Sequence, residues 1–431
     1  MDSLKAIPPR QTPFQAALVA SVNRSAAEAA AAAAPLLRAA LDDPKFRSGL
    51  GRCCPTLVHE SAMKLLSRLR EELLAAELTH NFHANSTGTW EGDVNISTAS
   101  SFAFLPNLWT LKFLGLSSSE QRVEDISEVD LMGFHAFSGG QTVGNATPPS
   151  FAEAAERPTY TTANIRHDPM GDATFGDISM IFTPSYAQPL ALLEPVDTGS
   201  FQEACNSTRP TQCSHYPFEM NCSGWPAPHT QGTFSHPTHM LLANVHLWGA
   251  CGDPLLRTFE ALCGEGGAPL LAPWDEMSFM EPDLAGAVQY PHGVKLIVAE
   301  FSSLFGNELG ERVRAFCIQW GWALAWGLSS QMRASANVSA AAHLRSIDPV
   351  VAGHASLNIS ISPESNGTFG AVWREVGASR PPVYNASSWA AYWAQLPSTL
   401  DLSSGLRAGQ CSDLDRCVGM RPRSKDCVCY A

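Results

Sequence analysis

Between Val294 and Trp326 the chain spells strand, helix, strand, and that succession argues against an all-helical molecule. Val294 to Ala299 (VKLIVA) has the apolar, β-branched composition of a buried strand. Asn307 to Gln319 reads as a helix that gathers Leu309, Val313, Phe316 and Cys317 on one side, and Ala323 to Trp326 returns to strand. A second strand signal lies upstream, in Glu156 to Asp177 (ERPTYTTANIRHDPMGDATFGD). Tyr160, Thr161 and Thr162 favour extended backbone, and Asn164 to Arg166 continue it. His167 to Ala173 carry the Asp, Pro and Gly of a reversal, and Phe175 to Phe182 alternate like a half-buried strand. Together these predict an α+β fold around a mixed or antiparallel split sheet.

The N-terminal third is helical by pattern. Thr12 caps a helix that runs to Leu41, with Pro13 at its first position and Gln15 completing a capping box. Pro35 predicts a break or a fresh start within it. Leu57 to Leu78 predicts a second helix, with Leu65, Leu66, Leu69, Leu73 and Leu74 as its packing stripe. Phe102 to Leu116 reads as a buried strand or helix, and Ser117 to Asp130 as a loop with a short helix. Gly139-Gly140 and Pro148-Pro149 bound a linker. Gly199 to Gly232, with Cys205, Cys213 and Cys222, reads as an exposed loop insertion, and Ser235 to Trp248 as a capped helix stopped by Gly249. Beyond Gln331, Leu357 to Ser362 alternates, and Asn366-Gly367 turns it into a hairpin with Phe369 to Val376. Trp389 and Trp393 share a short helix, and a Cys-rich tail follows Gly409. The organisation expected is a helical region over 1–78, a core over 79–330 and an extension over 331–431.

Composition narrows the function classes. A net charge of −13 repels phosphate backbones, so nucleic acid is not an expected partner. No apolar run reaches membrane-spanning length. Neither a GxxxxGK[ST] nor a GxGxxG phosphate cradle occurs. The twelve cysteines form no paired CxxC zinc signature, and their even number and clustering are compatible with disulfides. Ten of the fifteen asparagines stand in N-x-S/T, against roughly one in six or seven for ordinary Ser and Thr usage. That excess points to a secreted or lumenal glycoprotein. The opening MDSLKAIPPRQTPF shows no apolar leader, which keeps a cytoplasmic location as the alternative.

The stretch Glu156-Arg157-Pro158-Thr159-Tyr160-Thr161-Thr162-Ala163-Asn164, followed by Phe175-Gly176, resembles the E-R-P-K-Y-G-A-L-N and R-F-G segments of a mainly bacterial domain-of-unknown-function family. Three weaker echoes fall in the same order. Thr12 to Leu18 is similar to that family's T-P-x-Q-x-A-L opening, Thr79 to His83 to its T-L-H-F-H strand, and Gln289 to Glu300 to its V-H-G segment through His292-Gly293. The resemblance spans about residues 12–330. Its pattern is similar to ADP-ribosyltransferase-like folds, which implies NAD as substrate. A His anchors the dinucleotide there, an aromatic ring stacks on nicotinamide, and a carboxylate stabilises oxocarbenium charge. Such a fold uses no Gly-rich fingerprint.

Carried onto this chain, the resemblance makes His83 the anchor, Tyr160 the stacking ring, and Asn164 and His292 the hydrogen-bonding groups. The family's late Glu falls near Ala285 or Gly286, which leaves Glu281 and Asp283 as the neighbouring carboxylates for the catalytic charge. The expected activity is transfer or hydrolysis at the N-glycosidic bond of NAD. Two alternatives stand beside it: a non-catalytic extracellular glycoprotein that binds a small-molecule ligand, and a metal-dependent hydrolase built on His80, His83, His236 and His239.

Overall fold

The computed structural model describes residues 7–85, 94–117, 122–164, 170–171, 175–194, 231–241, 280–327, 346–347, 359–360 and 374–375. The fold is α+β, with helices leading into mixed sheets. The expected loop insertion, the tryptophan-bearing helix and the Cys-rich tail lie outside the described residues, apart from Gln231 and Gly232 at the insertion's end.

Helix α1 (Pro13–Asp42) begins as its sequence demands. The Thr12 side chain accepts from the Gln15 backbone N–H, and the Gln15 side chain accepts in return from the Thr12 N–H. It does not break at Pro35, which sits exposed inside one continuous helix. The reason is tertiary. Val22, Ala26, Ala30, Ala33, Leu37 and Leu41 form a buried stripe that crosses Pro35, and its burial holds the helix together through the lost backbone bond. Helix α2 (Pro44–Cys53) and helix α3 (Ala62–Ala75) follow. The second predicted helix is therefore shorter than expected. Ser61 caps α3 so that it begins five residues late, and the chain turns extended after Ala76. Leu65, Leu66, Leu69 and Leu73 are buried as the stripe predicted, whereas Leu74 is 45% exposed.

Strand β1 (Glu77–Phe82) lies between β3 (Thr162–Asn164) and β4 (Ile178–Phe182), antiparallel to both. The strand, turn and strand around residue 170 thus do not pair with each other; they flank β1. The short helices α4 (Ile96–Ser100), α5 (Leu108–Phe113), α6 (Arg122–Ile126) and α7 (Phe151–Glu156) separate β1 from those two strands along the chain. Strand β7 (Val294–Glu300) pairs antiparallel with β4 and parallel with β8 (Ala323–Gly327). A parallel pair needs a crossover, and the capped helix Glu308–Trp320 supplies it, closing on left-handed Gly321. Strand β9 (Ser346–Ile347) completes the sheet order β3-β1-β4-β7-β8-β9.

A second, three-stranded sheet has the order β2-β6-β5, from β2 (Thr159–Tyr160), β5 (Ala191–Glu194) and β6 (Glu281–Leu284). The two sheets meet where Ala163 bridges Met280. One apolar cluster joins Leu37 and Leu41 of α1 and the α3 stripe to Leu78, Met180, Ile297 and Leu324 of the large sheet, so the helical region and the core share packing. At the C-terminal side, Ile359 and Ser360 (β10) pair antiparallel with Glu375 and Arg374 (β11), as the alternation predicted.

Candidate functional site

Side chains alternate across a strand, and laterally paired residues share a face. Register therefore shows which groups meet. Glu194 pairs with Glu281 between β5 and β6, and Leu192 with Asp283. Asp283 pairs with Tyr160 on β2. Thr162, two residues beyond Tyr160, pairs with Thr79 on β1. Leu193 exchanges both backbone bonds with Gly232 at 2.9 Å, which sets Gln231 beside Glu194 at the close, non-hydrogen-bonded spacing of about 4.5 Å between Cα atoms. One face thus carries Gln231, Glu194, Glu281, Asp283, Tyr160, Thr162, Asn164 and Thr79, and it continues into Asn81 and Ser179. The opposite face carries Leu193, Leu284, Ala163 and Leu78, which belong to the main core.

A face with so many polar groups is expected to meet water, yet Glu194 is 1% exposed, Glu281 6%, Asp283 0% and Asn164 1%. Glu194 and Gln231 lie side by side without a well-formed hydrogen bond between them, and Thr79 Oγ1, Asn81 Oδ1 and Ser179 Oγ have no hydrogen-bond partner. Burial pushes the Glu194 carboxyl up to about 8, against the pull of the neighbouring Gln231 amide. It is a neutral acid at physiological pH, set one strand from Glu281. Buried polar groups normally find partners, so a row of unsatisfied ones marks a site with work other than stability.

Sequence reasoning named Glu281 and Asp283 and missed Glu194 and Gln231. Glu194 closes an otherwise apolar run (LALLE), and only the strand pairing shows that it turns toward Glu281.

No family model matches this chain, and no curated protein matches it significantly.

The six expected site residues do not gather in one place. Glu281, Asp283, Tyr160 and Asn164 share the face just described. His83 follows the end of β1, four residues and about 13 Å along the strand from Thr79. It lies beside Asp177, whose carboxyl is raised by burial and accepts from the Ala84 N–H at 2.6 Å. His292 is exposed in the turn before β7, where Thr183 N–H donates to Gly293. That is the other end of β4 from Asp177, about 20 Å away, so His83 and His292 serve no common ligand.

Tyr160 offers no open ring. Its hydroxyl donates to Glu128 at 2.6 Å, and its ring packs beside Val22, Met132, Phe134, Leu192 and Ala285. Glu128 belongs to a buried charge network that the sequence did not reveal. Arg157 donates to Glu128 at 2.6 Å and to Asp125 at 2.7 Å, and all three side chains are at most 2% exposed. Trp109 Nε1–H also donates to Glu128, and Gly144 N–H to Asp125. Burial pushes Glu128 up to about 7 against the pull of Arg157, Tyr160 and Trp109. The Arg157 guanidinium lies 4.2 Å from the centre of the Phe137 ring. The Arg of the E-R-P segment is thereby a pillar for the strand that follows it, through Tyr160 and Glu128.

The four-histidine arrangement is not assembled. Among the described residues no three His, Cys, Asp or Glu side chains are placed to hold a metal ion. His80 Nδ1 meets the Tyr160 carbonyl at 2.8 Å, and His239 Nε2 the Gln231 carbonyl at 2.9 Å. Burial lowers the pKa of both rings, which keeps them neutral. Of the cysteines with described side chains, Cys317 is buried and outside any disulfide, and Cys54 is not free.

Proposed function

We propose that this chain acts on the N-glycosidic bond of NAD, with Glu281 as the carboxylate that stabilises oxocarbenium charge and Asp283 beside it. The observation that carries the reading is the pairing of Glu281 with Glu194 on one buried sheet face. Cleaving the N-glycosidic bond of NAD needs negative charge near the anomeric carbon; the bonding pair leaves with the ring nitrogen, so nicotinamide departs neutral and takes no proton. With Glu194 held neutral on the adjacent strand, Glu281 is the carboxylate left to carry that charge. Asn164, Thr162 and Thr79 add hydrogen-bonding groups for ribose hydroxyls on the same face. The choice of NAD rests on the resemblance around Tyr160, and His83 lies too far along β1 to help at the reacting carbon.

The test is incubation with NAD labelled in the nicotinamide ring. Release of nicotinamide by the native protein, with at least a hundredfold loss in Glu281→Gln at unchanged thermal midpoint, supports the reading. No release at micromolar protein over hours removes it.

A second reading has its own observation. The sequon asparagines Asn85 and Asn145 are both exposed, and Asn145 stands in a turn after Gly144. Exposure in a turn is what a glycosylation acceptor needs, and it favours a secreted or lumenal glycoprotein that binds without catalysis. An intact-mass decrease after endoglycosidase treatment of protein from a eukaryotic secretory host supports that location. An Asn145→Gln variant with unchanged glycan mass removes Asn145 from the argument.

A further inference from the structure

The sheet face that carries Glu194 and Glu281 is bounded beyond β5 by a short clip, residues 231–241. Gly232 exchanges both backbone bonds with Leu193 at 2.9 Å, and the chain then doubles back. His236 N–H donates to the Thr233 carbonyl, and Met240 and Leu241 N–H to that of Pro237. This brings His239 back to the start of the clip, where Nε2–H donates to the Gln231 carbonyl at 2.9 Å. A carbonyl only accepts, so the proton of this ring sits on Nε2. The Thr233 hydroxyl donates to Asn23 Oδ1 at 2.8 Å and ties the clip to α1. Gly232 leaves no space for a side chain, because a Cβ there would lie 2.5 Å from Met240 Cγ.

These bonds all fix one residue. Gln231 is 0% exposed, and its carboxamide stands beside Glu194, which in turn stands opposite Glu281. An amide, an acid and a second acid therefore follow one another across adjacent strands. A protonated carboxyl accepts at one oxygen and donates from the other. Burial keeps Glu194 in that form. An amide N–H on one Glu194 oxygen turns the O–H on the other toward Glu281, and a hydrogen bond given to a carboxylate favours its charged form. Catalytic hydrogen bonds are often poorly aligned until substrate is in place, which fits the loose contact between Gln231 and Glu194.

We propose that Gln231 is a positioning residue: its amide N–H holds one oxygen of Glu194, so that the other donates to Glu281 and keeps that carboxylate charged. The role rests on Glu281 as the charge-bearing group of the NAD reading, and Gln231 itself touches no substrate. Among the described residues, the titratable groups that share this face with Glu281 are Glu194 on β5, Asp283 on its own strand and Tyr160 on β2, whose hydroxyl is committed to Glu128.

The acidic limb of NAD cleavage, where Glu281 takes up its proton, tests this. In Gln231→Met and in Glu194→Met the midpoint of that limb is expected to rise by about one pH unit or more. The double variant moves it no further than either single change, because one chain of bonds is broken once. Gln231→Asn, equally polar but too short to reach Glu194, shifts it in the same direction and serves if Gln231→Met does not fold. Isotope-edited infrared titration of the glutamate carboxyls, with the Glu281 band identified by its loss in Glu281→Gln, reads the same midpoint without NAD. An upward shift there in a protein that cleaves no NAD supports the positioning role and removes only the reaction. A Glu281 midpoint unmoved in the folded variants overturns the proposal even where NAD is cleaved, and so do shifts that add in the double variant.

Discussion

Arg157 holds two carboxylates that have no other counter-charge among the described residues, and removing it shows what that is worth. In Arg157→Met, Asp125 and Glu128 stay buried without their cation, a change that costs about 3–5 kcal/mol in comparable buried pairs. The loss should be smaller at pH 5 than at pH 8. Glu128, already pushed up to about 7, protonates on the way down and no longer needs the guanidinium. Urea midpoints of wild type and variant at the two pH values check this, and equal losses at both would show that Glu128 is not the group concerned. Gly176 is a second decisive position. Its φ of 153° lies where side chains strain the backbone, and a Cβ there would overlap the Phe82 main chain. Gly176→Ala should destabilise by at least about 3 kcal/mol, as for other backbone collisions in a closed core. A midpoint within error of wild type would mean that β1 and β4 have room the geometry denies.

At the scale of elements, what the sequence displays depends on how local the signal is. The Thr12 box, the helix after Asn307 and the alternation at Ile359 are contained in short windows and formed where those windows said, whereas the α3 stripe formed in a helix shorter than its window. Pro35 failed as a breaker because the packing of Leu37 and Leu41 is not visible in the window that contains it. The site was half legible for the same reason. Glu281 and Asp283 stand two residues apart, a spacing that puts both on one face of any strand. Glu194 and Gln231 reach them only through strand pairings between segments far apart in the chain. Pro35 yields its own prediction. It is exposed and has no N–H to donate to the Ala31 carbonyl, and Pro35→Ala restores that donor without touching the buried stripe. A gain of about 1–3 kcal/mol is expected, below the full helix penalty because the native helix has already adapted. A thermal midpoint lowered by the substitution would show that α1 needs its proline to reach both Val22's cluster and the main core.

Across the whole molecule, buried acids set the pH dependence of stability. Glu194 titrates near 4.5 when exposed and near 8 in the fold. Between those values the folded state binds more protons than the unfolded one, so its contribution is complete below about pH 4.5 and disappears as pH rises through 8. Glu128 acts with the same sign up to about 7. Glu60 and Glu153, both held low by hydrogen bonds, act oppositely, but only below about pH 4.5. His80 and His239, lowered from 6.5 by burial, also act oppositely, but only below about pH 6.5. Between about pH 6.5 and 8, stability should therefore fall, by an amount on the order of a few kcal/mol. Glu194→Gln removes the ionisation while keeping the shape, so the variant should be more stable than wild type at pH 8 and show a flatter profile. Urea midpoints at pH 5, 6, 7 and 8 measure both. A midpoint that climbs between pH 7 and 8, or a Glu194→Gln slope identical to wild type, would place the titration elsewhere.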